Sequence, residues 1–129
     1  MALKLRLKPG EKVIIGGAVI ANGERAADLM VENQVPILRE KDILTEAEAD
    51  SPCRRIYLAV QLMYIDEENL ARYHKNYWEL VKEVLNAAPS TKGHIEAVSN
   101  EILAGRYFQA LKKTKKLIQY EEELLNHVR

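Results

Sequence analysis

The sequence predicts an α+β fold, a small N-terminal antiparallel β-sheet over residues 1–44 followed by a bundle of about four helices over residues 45–129. Three observations predict it. Between residues 3 and 39 apolar positions recur every second residue, in short runs cut by the turn pairs Pro9-Gly10, Gly16-Gly17 and Asn22-Gly23. From about residue 45 the apolar spacing changes to three and four, the period of a helix. Pro52 and Gly105 fall at the ends of apolar segments, where helices start and stop.

The first strand is LKLRLK, with Leu3, Leu5 and Leu7 on one face and Lys4, Arg6 and Lys8 on the other. It stops at Pro9-Gly10. KVII follows and meets Gly16-Gly17, where a bulge or tight turn is expected. AVIA then runs into Asn22-Gly23, a strong hairpin signal that predicts pairing with the next strand, RAADLMVE. Asn33-Gln34 turns the chain into VPILR, and Pro36, lacking an N–H, places that strand at an edge or delays its pairing.

In the helical half, Ser51 is the expected N-cap and Pro52 the first helical residue of a segment, PCRRIYLAVQLMYI, that is apolar on nearly every side. It is the expected central buried helix. Asp66 is expected to cap the next, whose apolar stripe is Leu70, Tyr73, Tyr77, Leu80, Val81, Val84 and Leu85. A loop over Ser90–Gly93 leads to HIEAVSNEIL, which ends at Gly105. The last helix is expected to bury Phe108, Leu111, Ile118 and Leu125, with Leu117, Leu124 and Val128 beside them.

Composition narrows the function. With 47% hydrophobic and 29% charged residues the chain can bury a core and does not read as disordered. Net charge is zero, so any attraction to a polyanion must be local. The lone Cys53 fits a reducing compartment, and the alternating N-terminal charges do not read as a signal peptide. No apolar run reaches the ~20 residues of a membrane span. The expectation is a soluble cytoplasmic protein with no membrane contact.

The sequence offers no catalytic pattern. His74, His94 and His127 lie on separate segments without metal-ligand spacing, and GEKVIIGG lacks the Gly-Lys-Ser/Thr ending of a phosphate loop. No enzyme, metal or cofactor is expected. The cationic features are more informative. Lys4, Arg6 and Lys8 suit backbone phosphates, although an edge strand also carries lysine to block aggregation. Lys112, Lys113, Lys115 and Lys116 suit phosphates or an acidic partner, although such a run is ordinarily a solvated face, here expected to pair with Glu121–Glu123. Arg54 and Arg55 oppose the dipole at a helix start, which a ligand or the acidic 40–50 segment would explain.

The elements LKPGE, GAVIANG, LREKDI, RRIYLAVQLMY and ALKK…LIQYEEEL, in one order over nearly the whole chain, resemble the FlbT family of flagellar regulators. The resemblance implies a non-enzymatic, post-transcriptional regulator that associates with the 5′ untranslated region of flagellin messenger RNA and commonly lowers its stability, working with the partner FlaF. The β half is also similar to CsrA-type RNA-binding proteins, through its charged first strand, GEKVIIGG and PILRE. That likeness points to Leu5 and Lys8 on the first strand and Ile37, Leu38 and Arg39 on the last as RNA contacts, to which the row adds Lys4 and Arg6. It departs from the pattern at Leu7 and Leu38, which stand where basic and polar residues are expected, so the dimer and the sequence preference do not carry over with it. A homo-oligomer remains among the expectations. The alternative is an adaptor acting through FlaF or flagellin, docking a partner helix on Phe108, Leu111 and Ile118 with Lys112 and Lys115 at the rim.

Overall fold

A computed structural model describes residues 2–127 as five short strands followed by four α-helices. The chain divides between Ile43 and Leu44 into two units. The β-then-α order is as expected; the strand pairing differs.

In the first unit, β1 (Leu3–Leu7) pairs antiparallel with β4 (Ala27–Val31), and β2 (Lys12–Ile15) pairs with both β3 (Ala18–Ala21) and β5 (Ile37–Arg39). The strands form a two-stranded and a three-stranded sheet, in the orders β1-β4 and β3-β2-β5. The hairpin expected at Asn22-Gly23 is formed instead at Gly16-Gly17, where both residues have positive φ, 58° and 88°. Two successive left-handed residues make the primed turn whose twist matches a strand pair, and glycine reaches it without a Cβ penalty. Asn22 takes another role: its side-chain amide donates to the carbonyls of Lys8 and Arg25, each at 2.8 Å, and so ties the turn after β1 to the approach to β4.

Pro9-Gly10 turns as expected, with Gly10 at φ 72° and the Glu11 N–H donating to the Lys8 carbonyl at 3.0 Å. β5 begins immediately after Pro36 and is an edge strand, as the missing N–H requires. Leu5, Leu7 and Val13 form the core of this unit, with Ile15, Ile20, Leu29, Val31 and Ile37 packed around them.

In the second unit, α1 (Pro52–Ile65) packs against both α2 (Leu70–Ala87) and α4 (Tyr107–His127), and α3 (Lys92–Leu103) packs against α4. α1 is the central helix that its apolar sequence predicted, burying Cys53, Ile56, Tyr57, Ala59, Val60, Gln61 and Met63. The buried Gln61 is satisfied by Leu44, accepting from its N–H at 2.8 Å and donating to its carbonyl at 3.0 Å.

Asp66 opens a short 3-10 turn rather than capping α2, and accepts from the Tyr73 hydroxyl at 2.5 Å. α3 starts two residues before the expected His94 and stops at Gly105, φ 74°. There the N–H groups of Gly105 and Arg106 donate back to the carbonyls of Ile102 and Glu101, the paired bonds of a Schellman stop.

The buried seam of α4 is Ala110, Leu111, Thr114 and Leu117, which keeps the expected Leu111 and Leu117 and adds Ala110 and Thr114. Phe108, Ile118 and Leu124 are half-buried, Leu125 is exposed, and Val128 lies outside the described residues. Thr114 can be buried because its hydroxyl donates to the Ala110 carbonyl at 2.8 Å.

Candidate nucleic-acid interface

Alternation along β1 sends Leu5 and Leu7 into the core and leaves Lys4 and Arg6 outside. Both cations share one carboxylate, Asp28, which stands opposite Arg6 on β4. Arg6 Nη1 lies 3.1 Å from Asp28 and Lys4 Nζ 3.7 Å, with the two cationic side chains 70% and 64% exposed. Exposed pairs of this kind contribute at most about 1 kcal/mol, so Asp28 orients the cations without consuming them. Lys8 follows at the strand end, also exposed. The row expected from the sequence therefore stands on the surface.

Arg39 is placed differently from expectation. Its Nη2 donates to the Arg6 carbonyl at 2.7 Å and to Glu11 Oε2 at 2.8 Å, and its Nε reaches the same carboxylate oxygen at 3.3 Å. The other Glu11 oxygen accepts the Lys8 N–H at 2.9 Å. That backbone hydrogen bond first, and the Arg39 hydrogen bonds second, hold the Glu11 carboxyl below its usual pKa of 4.5. Arg39 thus clasps β5 to the end of β1, with 34% of its side chain exposed, and is not splayed out for stacking on a base.

Two further expected contacts change role. Leu5 and Leu38 are buried, so their side chains supply packing and present no surface to RNA; Ile37 is half-buried against the core. Asp28, Glu11 and Asn22 complete the site and were not anticipated. Asp28 had a signal, its phase in ADLMV, but its partner strand was not legible.

In the helical unit, Leu111 is 2% exposed and belongs to the core, because its position on α4 faces the packed seam. The expected apolar docking groove over Phe108, Leu111 and Ile118 loses its central residue. Phe108 is half-buried, 5.8 Å centroid to centroid from Tyr64, and the Lys112 ammonium sits 5.0 Å over its ring. Lys115 is exposed.

The Arg54 puzzle resolves in packing. Arg54 pairs with Asp50 at 3.1 Å and with Glu122 of α4 at 2.6 Å. Next to it, Glu121 accepts from the Ser51 hydroxyl at 2.6 Å and from the Cys53 N–H at 3.1 Å, a cap for α1 supplied by another helix. Two of the three carboxylates expected to pair along α4, Glu121 and Glu122, are turned toward α1 instead. Cys53 is buried, and burial, with Glu121 beside it, pushes its thiol up to about 12, which leaves no reactive thiolate. Among the described residues no three His, Cys, Asp or Glu side chains gather as metal ligands, and no helix is long and apolar enough to cross a membrane.

The sequence profile described as flagellar protein FlbT matches residues 3–125. The chain belongs to the FlbT family. It is 48% identical to the probable flagellum biosynthesis repressor protein FlbT 1 of Bradyrhizobium diazoefficiens, over 96% of this chain and 85% of that one. It is 44% identical to a probable FlbT repressor of Rhodopseudomonas palustris, over 98% of this chain and 99% of its relative. Identity is 38% to the flagellum biosynthesis repressor protein FlbT of Caulobacter vibrioides, over 99% and 92%. No solved structure matches the chain.

Proposed function

We propose that this FlbT family member is a post-transcriptional regulator of flagellin synthesis, a repressor in the simplest case, that holds the 5′ untranslated leader of flagellin messenger RNA on its N-terminal unit and alters its stability or translation. The observation that carries the reading is the outward row of Lys4, Arg6 and Lys8, three cations with one carboxylate, Asp28, between the first two. A strand that repeats a cation every second residue offers regularly spaced charges to a phosphate backbone, and needs no catalytic group to act. The names of the relatives, flagellum biosynthesis repressors, support the regulatory half of the reading.

Phosphate contacts fix register but carry no sequence information. Single-stranded RNA is ordinarily read by stacking on aromatic rings, and residues 1–43 contain no Phe, Tyr or Trp. That observation favours one second reading: an adaptor acting through FlaF or flagellin, with an indirect effect on the messenger. The discriminating experiment titrates the full chain against a flagellin leader and an unrelated leader of equal length, with and without FlaF, at two salt concentrations. Direct, salt-sensitive binding to the flagellin leader by the chain alone is the expected result. Leader binding that exists only in the FlaF complex would replace this reading with the adaptor.

A further inference from the structure

The proposed function leaves a second cationic surface unused. Between Gly105 and Gln119, α4 and its approach carry Arg106, Lys112, Lys113, Lys115 and Lys116 and no acid. Arg106 is taken by Glu101, Nε to Oε2 at 2.8 Å, and the half-buried Lys113 adds its charge to the same carboxylate. Lys112 and Lys116 are exposed, and among the described residues neither forms an ion pair.

They stand four residues apart, one above the other on the same helix face, a spacing at which like charges repel. Nothing along the helix offsets this. Phe108 precedes Lys112 by four and Tyr120 follows Lys116 by four, while Glu121 and Glu122 are committed to Ser51, Cys53 and Arg54. Lys112 is oriented by a ring instead of a carboxylate, 5.0 Å over Phe108.

The exposed strip reads Gln109, Lys112, Lys115, Lys116 and Gln119, all polar. Protein docking sites draw their affinity from desolvated apolar or aromatic anchors. Here the apolar neighbours are withdrawn: Leu111 is buried and Phe108 lies half-buried beneath Lys112. A phosphate backbone needs no such anchor, because repeated cations bind it by releasing counterions, and glutamine amides can donate to phosphate and sugar oxygens.

We infer that the helical unit carries an RNA-phosphate surface of its own, centred on Lys112 and Lys116, which adds affinity for the leader without reading its sequence. The inference rests on the RNA-binding reading above. Its test is the full-length Lys112→Gln/Lys116→Gln variant, titrated beside wild type against the flagellin leader, the unrelated leader and poly-L-glutamate across a salt series.

Both positions are exposed, so the fold should hold, checked by circular dichroism. The expected result is a log-log salt slope about 1.4 shallower, about 0.7 for each single-strand phosphate no longer neutralised, and equal on both leaders. An unchanged slope against a wild type that binds overturns this inference alone. A wild type that binds no leader removes the RNA reading and this surface with it. Loss of poly-L-glutamate binding with the leader slope intact overturns it in favour of an acidic protein partner.

Discussion

Arg39 puts one guanidinium into three hydrogen bonds, two to Glu11 and one to the Arg6 carbonyl. An ammonium cannot reproduce that fork. The carboxyl of Glu11 is held low by the Lys8 N–H and by Arg39, so folding favours its ionised form. A carboxyl lowered on folding contributes stability that is present above its unfolded pKa, here about 4.5, and is lost as pH falls through the folded value. Arg39→Lys should therefore lower stability at pH 7 and the gap to wild type should narrow below about pH 4.5, read by urea unfolding at a series of pH values. A gap that stays constant with pH would mean that Arg39 acts through packing alone. At this scale the cationic row was legible, because a period of two assigns faces without a partner strand. The clasp was not, since Arg39 and Glu11 are 28 positions apart and ion pairing has no sequence period.

Helices and turns were legible where their signals are local. Ser51-Pro52 starts α1, Pro9-Gly10 turns the chain and Gly105 ends α3, each through backbone chemistry confined to a few residues. Strand pairing and helix rotation were not. Asn22-Gly23 and Gly16-Gly17 both predict tight turns, and the hairpin forms at the pair of glycines, which brings KVII against AVIA. On α4, small Ala110 and Thr114 occupy the packed seam and push the larger Phe108 and Ile118 to its margins.

Leu111 is accordingly structural. Leu111→Ala should destabilise the protein by about 2–5 kcal/mol, and any loss of partner binding should track the unfolded fraction. A folded Leu111→Asp variant of wild-type stability would contradict this placement. The cap supplied by Glu121 is a separate element-scale device, replacing an orphan-donor solution that Ser51 provides only in part. Glu121→Gln should lower stability by about 1 kcal/mol, the usual worth of a cap, measured by thermal unfolding. Loss of less than a few tenths would assign the capping to Ser51 alone.

For the molecule as a whole, a net charge of zero conceals the distribution that matters. The first unit presents Lys4, Arg6 and Lys8 outward while closing Arg39 onto Glu11, and the second presents the α4 lysines while sending Glu121 and Glu122 to α1. In the first unit Glu11 is committed to Arg39, in the second Glu121 and Glu122 are committed to α1, and Lys4, Arg6, Lys8, Lys112 and Lys116 remain exposed. On the proposed reading, that division would let a neutral chain hold a polyanion at defined places. The measurement that bears most directly on it is the salt dependence of leader binding by Lys4→Gln/Arg6→Gln/Lys8→Gln against wild type. With three single-strand phosphates no longer neutralised, the log-log slope should flatten by about 2 while the fold is retained. A folded triple variant with the wild-type slope would return the row to edge protection and contradict the account.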